Sequence, residues 1–594
     1  MNGNRNRGRL LACARALLLA IPLSSVTIVT AAHAQRALIE PEGWTGWTRR
    51  EAVTASSFII STASAPATEA GREILRAGGS AVDAAIAAQL VLGLTEPQSS
   101  GIGGGAFILH WDAAQKSLRT YDGRETAPSA ARPDRFLRDG APMDFMTAVK
   151  SGLSVGVPGV VKLLAHAHKA HGKLPWPKLF EPAIRLATEG FSVTPRLSML
   201  LGLSGRATFD ATARAYFFDE TGSPRPTGHL LKNPAYAETL AAIAERGAAA
   251  FYEGPLADAM VAAIANAPNA AGDLTASDLA AYEVVEREPL CFAYRKRRIC
   301  SMGPPSSGGI AIAQILSLAE PFDLGMAPSD AMQPAAIHTL AEAMKLAYAD
   351  RNRYLADPAF VSIPRGLTDP AYLAERRTLM KPGEPMAPPR PGEPQQAALD
   401  HFGQDFTIER AGTSHISIID ADGNAVSMTT TIEGGFGAGL MAGGFLLNNE
   451  LTDFSMRPVD DAGRAIANRV EPGKRPRSTM TPTIMFGEDG RVEAVLGSPG
   501  GGRIIYYVTK AIVALVDWQL DAQRAASIMN FGSMGGAVDL EPDWLTVPTA
   551  LRLRAMGHTV KTDLMTSGLN IIVRRHNGLE GGTDPRREGL AAGD

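Results

Sequence analysis

The sequence predicts a mixed α/β protein, and three observations carry that expectation. Runs of alternating apolar residues interleave with segments of helical periodicity. Sixty Gly and 40 Pro supply many tight turns rather than long helical bundles. A chain of 594 residues at 45% hydrophobic and 20% charged can bury a large core. Length alone suggests about four domains, yet one large sandwich with insertions fits equally well. Lys plus Arg (58) nearly balance Asp plus Glu (61), for a net charge of -3. With no basic surplus to release counterions from a phosphate backbone, no nucleic-acid partner is expected.

Arg5, Arg7 and Arg9 precede an apolar stretch from Leu17 to Val29 and then Ala32-His33-Ala34, the small-x-small form of a signal-peptidase site. A cleaved leader over 1–34 and export to the periplasm or medium are expected, with no stable membrane anchor. The arginines are not adjacent as a twin-Arg leader needs, and Cys13 lies too early for a lipoprotein box. No later run reaches the roughly 18 apolar residues of a spanning helix. Beyond Cys13 only Cys291 and Cys300 remain, which argues against a disulfide scaffold and a thiolate zinc site. A bridge between them stays open, although cysteines merely close in sequence are more often free. Phe292 to Ile299 reads as strand-turn-strand, with Arg295, Lys296, Arg297 and Arg298 at a solvated tip.

From Glu69 a helix is stopped by Gly78 and Gly79, and Ser80 offers the N-cap of the next. That next helix, Ala81 to Leu94, is apolar nearly all round and belongs in a core. Helices are also expected at Val160–His171, Phe180–Glu189, Tyr236–Arg246, Ile310–Leu318, Ala335–Tyr348 and Ile504–Val516. Strands are expected at Ala106–Trp111, Ser417–Ile419, Val426–Met428, Val492–Leu496 and Ile571–Val573. Lys381 to Gln396 holds six prolines with almost nothing to bury, so it should be extended or disordered and mark a boundary.

Beyond it, Gly412 to Thr431 has the pattern of a β-hairpin, two β-prone runs joined by a short Asp/Gly loop in which Gly423 takes positive φ. A turn centred on Asp422 sets Ile418 opposite Val426, Ser417 opposite Ser427 and Thr413 opposite Thr431. A bulge at Gly423 would shift this by one residue. Two threonine hydroxyls then meet at the open end. A threonine is a poor nucleophile without a base beside it, and an N-terminal threonine carries one in its α-amine, which titrates near pH 8. Cleavage before Thr413 would create it, and Gly412, lacking a Cβ, permits the backbone strain of an N-to-O acyl shift.

Seven ordered motifs carry a resemblance. They are Ala77-Gly78-Gly79-Ser80-Ala81-Val82-Asp83-Ala84-Ala85, Gly101-Ile102-Gly103-Gly104-Gly105, Asp122-Gly123-Arg124-Glu125-Thr126-Ala127-Pro128 and Pro304-Pro305-Ser306-Ser307-Gly308-Gly309. After these come Leu447-Asn448-Asn449-Glu450-Leu451-Thr452-Asp453-Phe454, Lys474-Arg475-Pro476-Arg477-Ser478-Thr479-Met480 and Gly497-Ser498-Pro499-Gly500-Gly501. The chain resembles γ-glutamyltransferase (glutathione hydrolase) proenzymes of the N-terminal-nucleophile hydrolase superfamily over nearly all of its mature length.

The resemblance implies a four-layer αββα sandwich built from a large fragment, 35–412, and a small one, 413–594, that form a heterodimer. It implies Thr413 as nucleophile and base, Thr431 as the residue that holds its hydroxyl, and the N–H groups of Gly500 and Gly501 as an oxyanion hole. Arg124 would bind the substrate α-carboxylate with help from Ser478 and Thr479, and Glu450 and Asp453 would take the α-ammonium. The implied substrate is glutathione or a related γ-glutamyl amide, cleaved without metal or organic cofactor, with transfer to water or an amine.

Two departures stand out. Glu433 occupies a position where many relatives have Asn, which adds a carboxylate near the ammonium site. The segment between Asp453 and Ser478 is short and offers no aromatic residue to cover the pocket, so water is favoured as acceptor. The family also includes β-lactam acylases and capsule-processing enzymes, so a glutaryl or cephalosporin acylase is the alternative. A non-catalytic exported binding protein, which would stay uncut, is a second.

Competing motifs are weak. Gly101 to Gly105 has no preceding strand for a dinucleotide loop, and no Gly-Lys-Ser/Thr follows a glycine loop. His166, His168 and His171 form a loose cluster on one helix, but 166 and 168 point to different faces and no carboxylate completes a metal site, so an exposed helix face is expected.

Overall fold

The computed structural model of the chain describes residues 46–395, 402–407 and 409–594; the expected leader lies outside them. Two seven-stranded antiparallel sheets face each other between layers of helix, a four-layer αββα sandwich. The first sheet runs Leu590–Gly593, Ile59–Thr62, Thr413–Ile419, Ala425–Thr431, Gly105–Asp112, Ser117–Gly123, Val285–Arg287. The second runs Val53–Ala55, Gly578–Thr583, Asn570–Arg575, Val492–Gly497, Thr483–Phe486, Arg297–Ser301, Leu290–Tyr294. Each sheet takes strands from both sides of Thr413, and all the described residues belong to one compact unit.

Period-two alternation decides what each face of the central hairpin meets. Ile416, Ile418, Val426 and Met428 face the outer helices, among them Ala81–Thr95, Val160–His171 and Pro234–Arg246. His415, Ser417, Ser427 and Thr429 face the second sheet, where a polar belt joins the two. Ser427 Oγ donates to Leu496 O (3.1 Å) and accepts from Thr483 N (2.9 Å), and Ser417 Oγ donates to Asn570 O (3.0 Å). Such buried hydroxyls are tolerated because they are bonded. The apolar helix starts at Ala81 through a reciprocal cap: Ser80 Oγ accepts from Asp83 N and the Asp83 carboxylate from Ser80 N. Helices Gly308–Ala319, Pro334–Tyr354 and Ile504–Val516 cover the second sheet.

Several expectations need correction. Cys291 and Cys300 sit directly opposite in the hairpin of Leu290–Tyr294 and Arg297–Ser301, and they are bridged. Its tip is not purely solvated, since Arg295 pairs with Asp517 at 3.0 Å. The proline-rich stretch opens on a tight turn at Pro382-Gly383, closed by a bridge between Lys381 and Glu384, continues without helix to residue 395, and separates no compact units. It is pinned along Pro334–Tyr354, where Glu342 accepts from Met386 N (2.6 Å) and Asp350 accepts from Gly392 N (2.8 Å).

The three helix histidines are not a bare exposed face. His166 meets Glu286, His168 bonds Leu174 O, and His171 stacks on His110. Elsewhere His338, Glu342 and His558 bring ligand-type atoms within 4.8 Å of one another. There His338 and His558 bond each other at 2.7 Å, and Glu342 accepts the Lys345 ammonium at 2.7 Å, a charge that opposes a cation at that spot. Among the described residues no helix is long and apolar enough to cross a membrane.

Candidate active site

The hairpin register is the expected one. Thr413 pairs with Thr431, Ile418 with Val426, and no bulge intervenes. Asp420 closes the turn by accepting from Asp422 N and Asn424 N, with Gly423 at φ +84°. At the open end Thr413 Oγ1 lies 3.4 Å from Thr431 Oγ1, and the Thr431 hydroxyl donates to Gly412 O at 2.7 Å. Glu433 N–H donates to the same hydroxyl oxygen at 2.8 Å, which fixes its orientation. The peptide carbonyl ahead of Thr413 is therefore polarised by a hydroxyl that also touches the Thr413 side chain.

Gly412 has no room for a side chain, because a Cβ there would fall 1.9 Å from Glu433 O. Gly412→Ala is expected to push the Gly412 carbonyl away from Thr431 and destabilise the uncleaved chain by about 1–3 kcal/mol. Slower chain cleavage on denaturing gels, with a lower unfolding midpoint, checks it.

The turn Gly500-Gly501 packs against Glu409 and Arg410, the residues shortly ahead of Gly412. Both glycines lie in the left-handed region, φ +139° and +54°, and a Cβ on Gly501 would strike Arg410 at 2.5 Å. Glu409 and Arg410 of the uncut chain thus lie across this turn, with Gly502 N donating to Glu409 O at 3.2 Å. Glu409 is itself held by Arg351 and Arg477. Thr479 Oγ1 donates to Gly501 O (2.7 Å), which ties the Ser478-Thr479 loop to the turn.

Next to the threonines lies a buried charge cluster. Arg124 follows the strand Ser117–Gly123 and donates to Glu450, to Asp453 (2.6 Å) and to the carbonyls of Pro476 and Arg477. Burial pulls its guanidinium down, but the charges of Glu450 and Asp453 outweigh this and hold it firmly protonated. Burial pushes the Glu433, Glu450 and Asp453 carboxyls upward, Arg124 offsetting only part of it for the last two. Several acids around one guanidinium cannot all ionise together. Glu433, at φ +72°, is held by Asn449 Nδ2 (2.5 Å) and Arg410 N (3.1 Å).

All ten expected site residues therefore lie in one connected region: Thr413, Thr431, Gly500, Gly501, Arg124, Glu433, Glu450, Asp453, Ser478 and Thr479. Ser478 departs in detail. Its Oγ accepts from Met480 N (3.1 Å) and its carbonyl accepts from Ser307, so it braces the loop.

Three participants went unassigned in the sequence. Asn449 orients Glu433, and Asn448 ties Gly103 and Gly156 to this loop; both stood in a quoted motif. Arg587 donates to Thr413 O at 3.3 Å and had no local signal. The segment after Asp453 does hold one aromatic residue, Phe454, contrary to expectation; it is buried in a cluster with Phe136, Leu451 and Val470.

A threonine heading a central strand of two facing antiparallel sheets, enclosed by helices, marks the N-terminal-nucleophile hydrolase class. The chain belongs to the gamma-glutamyltranspeptidase family, whose sequence profile matches residues 67–594. It is 37% identical to a glutathione hydrolase proenzyme of Escherichia coli (strain K12) over 91% of this chain and 92% of that one. A glutathione hydrolase proenzyme of Bacillus subtilis (strain 168) is 35% identical over 90% and 91%. Among solved structures, a cephalosporin acylase from Bacillus halodurans superposes with a TM-score of 0.77 at 27% identity, covering 93% of this chain and 99% of that one. Helicobacter pylori gamma-glutamyltranspeptidase superposes with a TM-score of 0.54 at 32% identity, over 59% and 99%.

Proposed function

We propose that the chain is a self-processing γ-glutamyl hydrolase and transferase acting on glutathione and related γ-glutamyl amides. The observation that carries the reading is the Thr431 hydroxyl on the Gly412 carbonyl, beside the Thr413 hydroxyl. Thr413 Oγ attacks the Gly412 carbonyl carbon and Thr431 stabilises the oxyanion. The Gly412–Thr413 C–N bond breaks, and the proton passes from oxygen to the departing nitrogen. Water then hydrolyses the ester, leaving Gly412 with a carboxylate and Thr413 with a free amine. Fragments 35–412 and 413–594 stay together because both contribute strands to each sheet.

In turnover, the Thr413 amine takes the proton of its own hydroxyl as that oxygen attacks the γ-carbonyl. It then returns the proton to the leaving amine. Donors at Gly500 and Gly501 receive the oxyanion once Glu409 and Arg410 have left the turn. Arg124 exchanges its carboxylate partners for the substrate α-carboxylate, and Glu450, Asp453 and Glu433 take the α-ammonium. No aromatic side chain covers the site from the 455–477 segment, which favours water as acceptor. The Ala32-His33-Ala34 leader signal and the Cys291–Cys300 bridge together support an exported protein.

Acylase activity on glutaryl substrates is the second reading, and the acid cluster weighs against it. A glutaryl group has no ammonium to offset Glu433, Glu450 and Asp453. Rates on γ-glutamyl and glutaryl anilides test this. The expected preference for γ-glutamyl is on the order of 10³-fold, and equal rates would favour the acylase. Glu433→Gln should shrink that preference. Because the carboxyls titrate above their usual range, KM for γ-glutamyl substrates should rise as pH falls and these groups take up protons. A KM flat with pH would remove them from the ammonium site.

A further inference from the structure

Arg587 is the residue of the C-terminal segment that reaches the nucleophile itself. Its side chain is 1% exposed. Nη1 donates to Thr413 O at 3.3 Å, Nε donates to Ser567 O at 3.2 Å and Nη2 donates to Thr566 O at 3.3 Å. A Cβ on Gly568 would fall 2.5 Å from Pro499 and 2.7 Å from the Arg587 stem, so the side chain wedges between the nucleophile strand and the loop behind the Gly500 turn. The Thr413 carbonyl is joined to the Cα that carries the α-amine. Covalent geometry therefore keeps the guanidinium within about 7 Å of that nitrogen.

We propose that Arg587 is a positioning residue that clamps Thr413 by its carbonyl and, through its fixed positive charge, holds the Thr413 α-amine unprotonated for catalysis. The proposal rests on Thr413 being the N-terminal base. A cation this close in a buried site disfavours a second positive charge, so the amine stays a free base to lower pH. Burial draws the guanidinium down to about 9, which leaves it charged at neutral pH.

The other charged groups near the amine do not replace this effect. His415, two residues along the strand, is drawn down to about 3 by burial and stays neutral. Glu433 at the end of the neighbouring strand and Glu125 beside Gly105 are both raised by burial. Glu96 lies 4.0 Å behind Arg587 and also faces Arg196, and burial pushes it up to about 7. Asp584 is paired with Arg586. Arg410 lies on the far side of the cleaved bond.

The test compares pH profiles of kcat/KM for wild type, Arg587→Gln and Arg587→Lys, with fragment masses confirming cleavage before Thr413. Loss of the charge should move the acid limb up by about one pH unit, costing about tenfold in rate below the limb and little above it, with KM nearly unchanged. Arg587→Lys should restore most of the shift. A uniform loss at every pH, or a Lys variant no better than Gln, would overturn the proposal. Should Arg587→Gln not fold, carbamylation of the wild-type α-amine by cyanate, followed by mass across pH, reads the same quantity. An amine titrating below the usual value of about 7.7 supports the proposal, and one at or above it overturns it. Cleaved protein with an unshifted limb defeats only this inference, whereas active uncut protein defeats the underlying mechanism.

Discussion

Thr413→Ala is expected to leave a single uncut chain with no measurable turnover, a loss of at least about 10⁴-fold. The substitution removes the oxygen that attacks Gly412 and, in the mature protein, the oxygen that attacks the substrate. The β-hairpin should survive it, because the strand is held by its pairing with Ala425–Thr431 and Ile59–Thr62 rather than by the Thr413 hydroxyl. Thr431→Val separates the two steps. Without the hydroxyl on Gly412 O, cleavage should slow by about 10²–10³-fold, the usual effect of losing one oxyanion donor. Gel densitometry of cleavage over time measures it, and cleavage at the wild-type rate would remove Thr431 from the processing step.

Arg124→Lys is expected to raise KM for γ-glutamyl substrates about a hundredfold while leaving chain cleavage intact. The ammonium keeps the charge but cannot reproduce a planar fork that reaches Glu450, Asp453 and the carbonyls of Pro476 and Arg477 together. Arg124→Leu should cost stability as well, about 3–5 kcal/mol, since it strands buried carboxylates. Protonation of those already raised carboxyls would recover part of that at low pH. Initial rates over a substrate series, with thermal unfolding in parallel, distinguish the two variants. An unchanged KM in Arg124→Lys would take the guanidinium out of the pocket.

The central hairpin was readable because alternation and a short Asp/Gly turn leave one register, so the meeting of Thr413 and Thr431 followed from counting. Helices Val160–His171 and Ile504–Val516 were readable at both ends for a similar local reason. The strand Gly578–Thr583 has no place among the expected elements, since three of its six residues are glycine and no apolar alternation marks it. Its glycines are required because Cβ atoms at 581 and 582 would strike Ile59 and Ala522, contacts that no local pattern announces.

Likewise the Cys291–Cys300 bridge follows only from the pairing of two short strands. Within the site, residue types and order gave the candidates. How Arg124 closes on Glu450 and Asp453, and how Glu409 and Arg410 lie across the Gly501 turn, depends on contacts between segments far apart in sequence. Arg587 lies 174 positions from Thr413, beyond the reach of periodicity or spacing.

The most direct test is the N-terminal sequence of purified, active protein. The mechanism predicts two polypeptides that copurify, one of them beginning Thr413-Ser414-His415. Full activity from a chain still joined between Gly412 and Thr413 would contradict it.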